Sequence, residues 1–320
     1  MRILLLGGSG QVGSQLRVTL APLGEVIAPS RASGWDLSDP ADLAARVEQL
    51  APQVIVNAAA YTAVDRAESE PALAHRVNAE APAALAAAAR SLDAWLIHYS
   101  TDYVFDGLGS RPWCEDDPTG PLGVYGQSKL AGERAIAARH ARHLIFRTSW
   151  VHGPQGANFI RTMLGLAGER ESLSVVDDQI GAPTGAPMIA QVTAQAIARV
   201  TEPANSLPSA LTSARVQQAP DLAGTYHLTA AGETSWWEVA CLALSEAREQ
   251  GVALRCGPEQ VARVPTTQYP TPAQRPLNSR LNTRKLREAF GLELPAWQEG
   301  VRQTVQALLA SGNPLSSSQA

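Results

Sequence analysis

Apolar residues fall into short unbroken runs along the first half of the chain, at residues 3–6, 54–56, 95–97 and 144–146. Runs of three or four apolar residues without polar alternation suit strands buried on both faces, as in a parallel sheet covered by helices. Helical patterns separate them. Residues 12–20 follow the first run directly, and residues 82–92 are rich in alanine, which has the highest helix propensity. Strand and helix in alternation predict an α/β fold built on a Rossmann-type, doubly wound parallel sheet.

Past residue 150 the rhythm loosens. Residues 174–176 form a short strand pattern and residues 188–200 a helical one. Residues 201–224 collect Pro, Ser, Ala and Gln without periodicity and read as a surface loop. Ser235 and Glu238 stand in a capping-box pattern that opens a helix running to about Gln250. A last helix is expected to start near Pro295, a residue suited to a first turn. The division expected is a dinucleotide-binding domain over residues 1–170, a smaller lobe mainly over 171–310 interleaved with it, and a frayed tail over 311–320.

Composition narrows the partners. Of the 320 residues, 26 are Lys or Arg and 30 are Asp or Glu, a net charge of −4 with no basic block. Such a surface offers no electrostatic footprint for nucleic acid or an anionic membrane. Cys114, Cys241 and Cys256 are too few and too irregular for a disulfide framework or a zinc site, which fits a reducing, cytoplasmic setting. The first apolar run is too short for a signal peptide, and no stretch approaches the roughly 20 residues of a membrane span.

Chemistry begins at Gly7, Gly10 and Gly13, spaced G-x-x-G-x-x-G between the first strand and the first helix. A tight turn at that junction lets backbone approach a pyrophosphate held at the helix N-terminus, so a dinucleotide is expected there. After the second strand the chain reads Val26-Ile27-Ala28-Pro29-Ser30-Arg31, without the carboxylate that would bind the ribose of NAD. Arg31 could pair with a 2′-phosphate instead, which favours NADPH and leaves NADH open. Tyr125 and Lys129 form Y-x-x-x-K, a spacing that shares one helix face. A lysine charge beside the phenol would lower its pKa and prepare it for proton exchange with a carbonyl. Thr101 ends a buried strand at the sheet edge where open α/β sheets bind ligands, close enough in kind to hydrogen-bond the same oxygen.

These residues, with Asn57-Ala58-Ala59-Ala60 and Ser100-Thr101-Asp102, resemble the extended short-chain dehydrogenase/reductase superfamily. Within it the chain is similar to the dTDP-4-dehydrorhamnose reductase family, through Tyr99-Ser-Thr-Asp-Tyr-Val-Phe105, Phe146-Arg-Thr-Ser-Trp150, Asp178-Gln-Ile-Gly-Ala-Pro-Thr184 and Arg275-Pro-Leu-Asn-Ser-Arg-Leu-Asn282. The resemblance runs to about Val301. It implies reduction of a dTDP-linked 4-keto-6-deoxy sugar to dTDP-L-rhamnose, and leaves room for a homodimer. Carried over by position, it implies catalysis by Thr101, Tyr125 and Lys129. It further implies cofactor contacts at Gly10, Gln11, Val12, Asp36, Leu37, Ala60, Tyr61, Thr62, Tyr99 and Lys129, and substrate contacts at Thr101, Asp102, Tyr125 and Trp150. Members with bound Mg2+ use glutamates where this chain has Gln15 and Pro187, so no metal ligand is assigned.

Other polar features take plainer readings. His98 is expected as a packed core histidine, and His140 and His143 as dipole partners at a helix end. Trp236 and Trp237 are read as helix anchors, Glu115-Asp116-Asp117 as a solvated acidic face, and Asp65 and Glu68 as surface charges. Alternatives of other kinds are a sugar-nucleotide epimerase or dehydratase, another 4-ketoreductase, and a non-catalytic subunit resembling that of methionine adenosyltransferase. A dehydratase would place a second acid after Asp102, where Tyr103 stands.

Overall fold

The structure, a computed structural model, describes residues 1–202 and 222–311. The N-terminal half runs β1 (Arg2–Leu6), α1 (Gln11–Thr19), β2 (Glu25–Ile27), α2 (Pro40–Leu50) and β3 (Val54–Asn57). It continues through α3 (Val64–Ala67), α4 (Pro71–His75), α5 (Ala81–Ser91), β4 (Trp95–Thr101), α6 (Val124–Arg139) and β5 (His143–Thr148). Then follow β6 (Val151–His152), α7 (Phe159–Glu169), β7 (Leu173–Val176), β8 (Ile180–Gly181), β9 (Thr184–Gly185) and α8 (Ala186–Thr201). The last elements are β10 (Gly224–His227), β11 (Thr234–Ser235), α9 (Trp236–Glu249), β12 (Val261–Val264), α10 (Arg284–Phe290) and α11 (Trp297–Ala310).

One parallel sheet of six strands in the order β10-β5-β4-β3-β1-β2 organises the described residues. Both of its faces are covered, and the alternation within β1 shows how. Leu4 and Leu6 pack with Leu43 and Val47 of α2 and Leu85 of α5. Ile3 and Leu5 turn the other way, onto Leu16 of α1 and Ile189 and Ile197 of α8. This is why the strand pattern lacks polar alternation. The sixth strand, β10, comes from beyond residue 220 and pairs with β5 from Gly224↔Leu144 to His227↔Arg147.

A second core lies beside the sheet, where Ile160 and Leu164 of α7 meet Val239 and Ala243 of α9 and Val301 and Val305 of α11. Local rules set the helix starts. Asp39 caps α2 through the Asp42 amide, Asn158 caps α7 through the Arg161 amide, and Ser235 with Glu238 makes the capping box of α9. The last helix begins at Trp297, two residues past Pro295, because the Pro295 carbonyl is engaged by the Ala231 amide at 2.8 Å. Most of the expected surface loop and nearly all of the expected tail lie outside the described residues.

Candidate active site

The glycine turn closes by a hydrogen bond from the Gly10 amide to the Gly7 carbonyl at 2.9 Å, with Gly7 at φ +78°. A Cβ on Gly13 would sit 1.9 Å from the Gly7 carbonyl oxygen, and one on Gly7 would lie 2.6 Å from the Ala59 amide nitrogen. Backbone therefore packs on backbone here, and only glycine permits it. Gly10 caps α1 with no side chain, which leaves the first-turn amides near Gln11 and Val12 open to an anion. Beyond the turn a cleft of about 430 Å³ runs between the segment after β2 and the loop after β3. Gly7, Arg31, Asp36, Leu37, Ala60 and Tyr61 line it, and Thr62 is exposed just beyond. The cradle and cleft together fit a dinucleotide.

The side chains expected to react gather at the neighbouring strand ends. Thr101 closes β4, while Tyr125 and Lys129 stand one turn apart on α6. The Thr101 hydroxyl donates to Asp102 Oδ1 at 3.0 Å and accepts from the Tyr103 amide at 3.2 Å. Glu68, expected as a surface charge, accepts from the Val124 amide at 2.9 Å and so fixes the start of the helix that carries Tyr125. Burial pushes Asp102 up to about 6, opposed by the nearby hydroxyls of Ser279 and Thr101. Burial, reinforced by the Asp102 carboxylate, pushes Tyr125 up to about 12, while the Thr101 hydroxyl pulls the other way.

Lys129 plays no part in that balance, contrary to the expectation that it lowers the phenol. Its Nζ is turned away, donating to the Tyr99 carbonyl at 2.6 Å and lying 3.3 Å from His98 Nε2. His98 is buried, as expected, yet it belongs to the site. The Ala59 amide donates to Asn57 Oδ1 at 3.2 Å, so the Asn57 amide nitrogen faces His98 Nδ1 as a donor, also at 3.2 Å. Burial holds the His98 pKa well below its ordinary range, leaving one N–H, which must then be on Nε2 and point at Lys129. That polarity favours an uncharged amine with a free lone pair. Burial acts in the same sense and brings Lys129 down to about 8, opposed by Glu133 one turn on.

Asn78 is a second residue without a sequence signal. It lies in a π-helical stretch, Arg76–Glu80, between α4 and α5. Its amide accepts from the Tyr61 amide at 2.8 Å, donates to the Tyr61 carbonyl at 3.0 Å and donates to Ser128 at 3.0 Å. One side chain thus clips the loop after β3 to α6, as π-bulges often do at functional sites. Beneath, Arg147 of β5 and Glu133 of α6 form a buried ion pair at 2.7 Å.

Across the cleft, Trp150 takes φ +49°, a backbone conformation costly for a bulky residue. Its ring stacks on Trp236 at 3.8 Å between centroids, and a Cβ on Gly181 would lie 2.8 Å from that ring. Trp236 is therefore more than an anchor of α9. Asp65, also expected as a surface charge, holds Arg275 at 2.7 Å and the Ala273 amide at 3.1 Å, latching the segment that carries Ser279. Asp117 is not merely solvated either: a hydrogen bond from Arg111 and another from the Cys114 amide bring it down to about 2. His140 Nε2 meets the Ala94 carbonyl at 2.7 Å inside the fold. Gln15 on α1 and Pro187 in the first turn of α8 supply no carboxylate, so they do not fit a hard dication. The described residues contain no group of three or more His, Cys, Asp or Glu able to hold a metal ion.

The family described as the RmlD substrate binding domain matches residues 1–310. The dTDP-4-dehydrorhamnose reductase of Escherichia coli (strain K12) is 51% identical over 314 residues, covering 97% of this chain and 99% of its own. That of Burkholderia thailandensis (strain E264) is 46% identical over 310 residues, covering 97% and 100%. The chain belongs to the dTDP-4-dehydrorhamnose reductase family. Among solved structures, the Bacillus anthracis family member in complex with NADP superposes with a TM-score of 0.82 at 32% identity, covering 95% of this chain and 98% of its own. A Thermus thermophilus UDP-glucose 4-epimerase, at 21% identity and a TM-score of 0.74, shares the fold alone. No helix of the described residues is long and apolar enough to cross a membrane.

Proposed function

We propose that this reductase uses NADPH to reduce the C4 ketone of dTDP-4-dehydro-β-L-rhamnose, giving dTDP-L-rhamnose as the last step of dTDP-rhamnose synthesis. The observation that carries this reading is the set of Thr101 at the C-terminal end of β4 and Tyr125 and Lys129 one turn apart on α6, beside a glycine cradle, in a chain half identical to named reductases. Reduced nicotinamide supplies hydride when bound. When the sugar binds, the Thr101 hydroxyl turns its single hydrogen from Asp102 Oδ1 to the ketone oxygen and orients it toward Tyr125. Tyr125 gives that oxygen its proton as negative charge develops.

The raised phenol pKa suits this direction. At about 12 the phenol stays fully protonated at neutral pH, and an alkoxide is basic enough to take the proton. Lys129, anchored on the Tyr99 carbonyl, holds the nicotinamide ribose in this reading. Trp150, stacked on Trp236, offers a flat wall for the sugar nucleotide. Asp102 stands alone, since Tyr103 follows it, which favours ketone reduction over a dehydratase with an acid pair. Free Cys114, Cys241 and Cys256 suit a cytoplasmic enzyme.

The test is NADPH consumption with dTDP-4-dehydro-L-rhamnose, against its D-gluco-configured 4-keto precursor. Oxidation with the L-sugar and little with the precursor is expected. Turnover of the precursor alone, or of neither sugar, would overturn the assignment.

A further inference from the structure

Three arginines line the cofactor cleft beyond the glycine turn: Arg17 of α1, Arg31 after β2 and Arg66 of α3. Two are answered by carboxylates inside the same cleft. Arg31 Nε lies 2.8 Å from Asp36 Oδ2, and Arg66 Nη2 lies 2.7 Å from Glu70 Oε1. Arg17 forms no ion pair or hydrogen bond among the described residues. Its position is defined by Gly8: a Cβ there would lie 3.2 Å from Ala28 Cβ and 3.6 Å from Arg17 Cδ. The Arg17 side chain therefore crosses from α1, over the glycine turn, to the end of β2.

That corner is where the adenosine ribose of a Rossmann-bound dinucleotide rests, and where an acid would bind its 2′-hydroxyl. This chain has Ala28, Pro29 and Ser30 there, and the Ser30 hydroxyl is turned to Ser33 at 3.4 Å. The corner thus has a cation without a partner among the described residues, while the cleft's carboxylates, Asp36 and Glu70, are held by Arg31 and Arg66.

We infer that Arg17 reads the 2′-phosphate of the cofactor and sets the preference for the phosphorylated dinucleotide, with Arg31 secondary. The inference rests on the NADPH reading above. Arg31 keeps its terminal nitrogens but shares its charge with Asp36, whereas the whole Arg17 fork is available for bidentate contact. Arg17 also occupies the last turn of α1, where a cation complements the helix dipole. That role alone would make it matter for stability and not for the choice between two nucleotides.

The experiment needs no turnover. 2′,5′-ADP and 5′-ADP are titrated calorimetrically into the full chain, unmodified and as Arg17→Gln, Arg17→Lys and Arg31→Ala, with melting curves for each variant. The unmodified protein is expected to bind 2′,5′-ADP more tightly. Arg17→Gln should weaken 2′,5′-ADP roughly tenfold or more, the scale of one charge-assisted hydrogen bond, and leave 5′-ADP within about twofold. Arg17→Lys should recover part of the loss, as a point charge without the fork, and Arg31→Ala should lose less than Arg17→Gln. Full preference for 2′,5′-ADP in Arg17→Gln overturns the assignment while the NADPH reading stands. So does equal weakening of both nucleotides. Equal binding of both by the unmodified protein overturns the NADPH reading and the Arg17 assignment together.

Discussion

The cofactor cleft and the catalytic wall lie at neighbouring strand ends, yet their charges are managed in opposite ways. In the cleft, acids are open to water and stabilised by donors. Asp36 is lowered by the Ser38 amide and by Arg31, and Glu70 by Arg66 and the Tyr61 hydroxyl. On the wall, Asp102 and Lys129 are shut away from water and Tyr125 is half-buried, and burial moves all three: Asp102 up to about 6, Tyr125 up to about 12, Lys129 down to about 8. Exposed ion pairs are weak and screened by salt, whereas desolvation is not. The cleft can select a charged ligand without storing much energy. The wall holds its protons out of their ordinary ranges, and the fold must sustain that cost.

The widest split should come from Tyr125→Phe. Turnover is expected to fall roughly 10²–10⁴-fold, the loss of a general acid. NADPH affinity, measured by fluorescence titration, should persist because the cleft is untouched. Near-normal turnover would remove Tyr125 from the mechanism.

Asp102→Asn probes the stored cost. A carboxyl raised to about 6 from 3.8 binds its proton more tightly in the folded chain. Its stabilising contribution is therefore complete below about pH 4 and lost as pH rises through 6. At pH 7 the ionised Asp102 weighs against folding by at most about 3 kcal/mol. Asp102→Asn should raise the melting temperature at pH 7 and change it little at pH 4. Equal shifts at both values would contradict the buried-charge account.

A smaller effect is expected at the cleft's far side. Trp236→Ala removes the ring stacked on Trp150, a contact worth about 0.5–1.5 kcal/mol beyond its buried area. KM for the dTDP-sugar should rise roughly two- to tenfold, with the NADPH constant unchanged. A matching loss of cofactor affinity would show that the two regions are not separate.

What the sequence displayed was whatever obeys a local rule. The buried run of β1, the glycine spacing, the Tyr125–Lys129 turn and the Ser235–Glu238 box each depend on neighbours a few residues apart. The partnerships that finish the site do not. Glu68 caps a helix 56 residues away, and Asp65 meets Arg275 across 210 residues. Asn78 reaches Tyr61 and Ser128 only because a π-helical stretch carries it between the loop after β3 and α6. His98 gains its role from Asn57 on the adjacent strand, at the register Asn57↔His98. Such pairings leave no periodicity to read. Burial misleads in a related way: the spacing of Tyr125 and Lys129 implied a charge acting on a phenol, but the amine faces His98 and Tyr99 instead.

Salt dependence tests the division between cleft and wall most directly. NADPH affinity and the single-turnover rate of hydride transfer at saturating NADPH and sugar are measured from about 0.01 M to about 0.15 M salt, where the screening length shrinks from about 30 Å to about 8 Å. Affinity is expected to weaken severalfold over this range while the saturated rate stays flat. A saturated rate that falls in step with affinity would contradict it, because the reacting groups would then lie within reach of the solvent's ions.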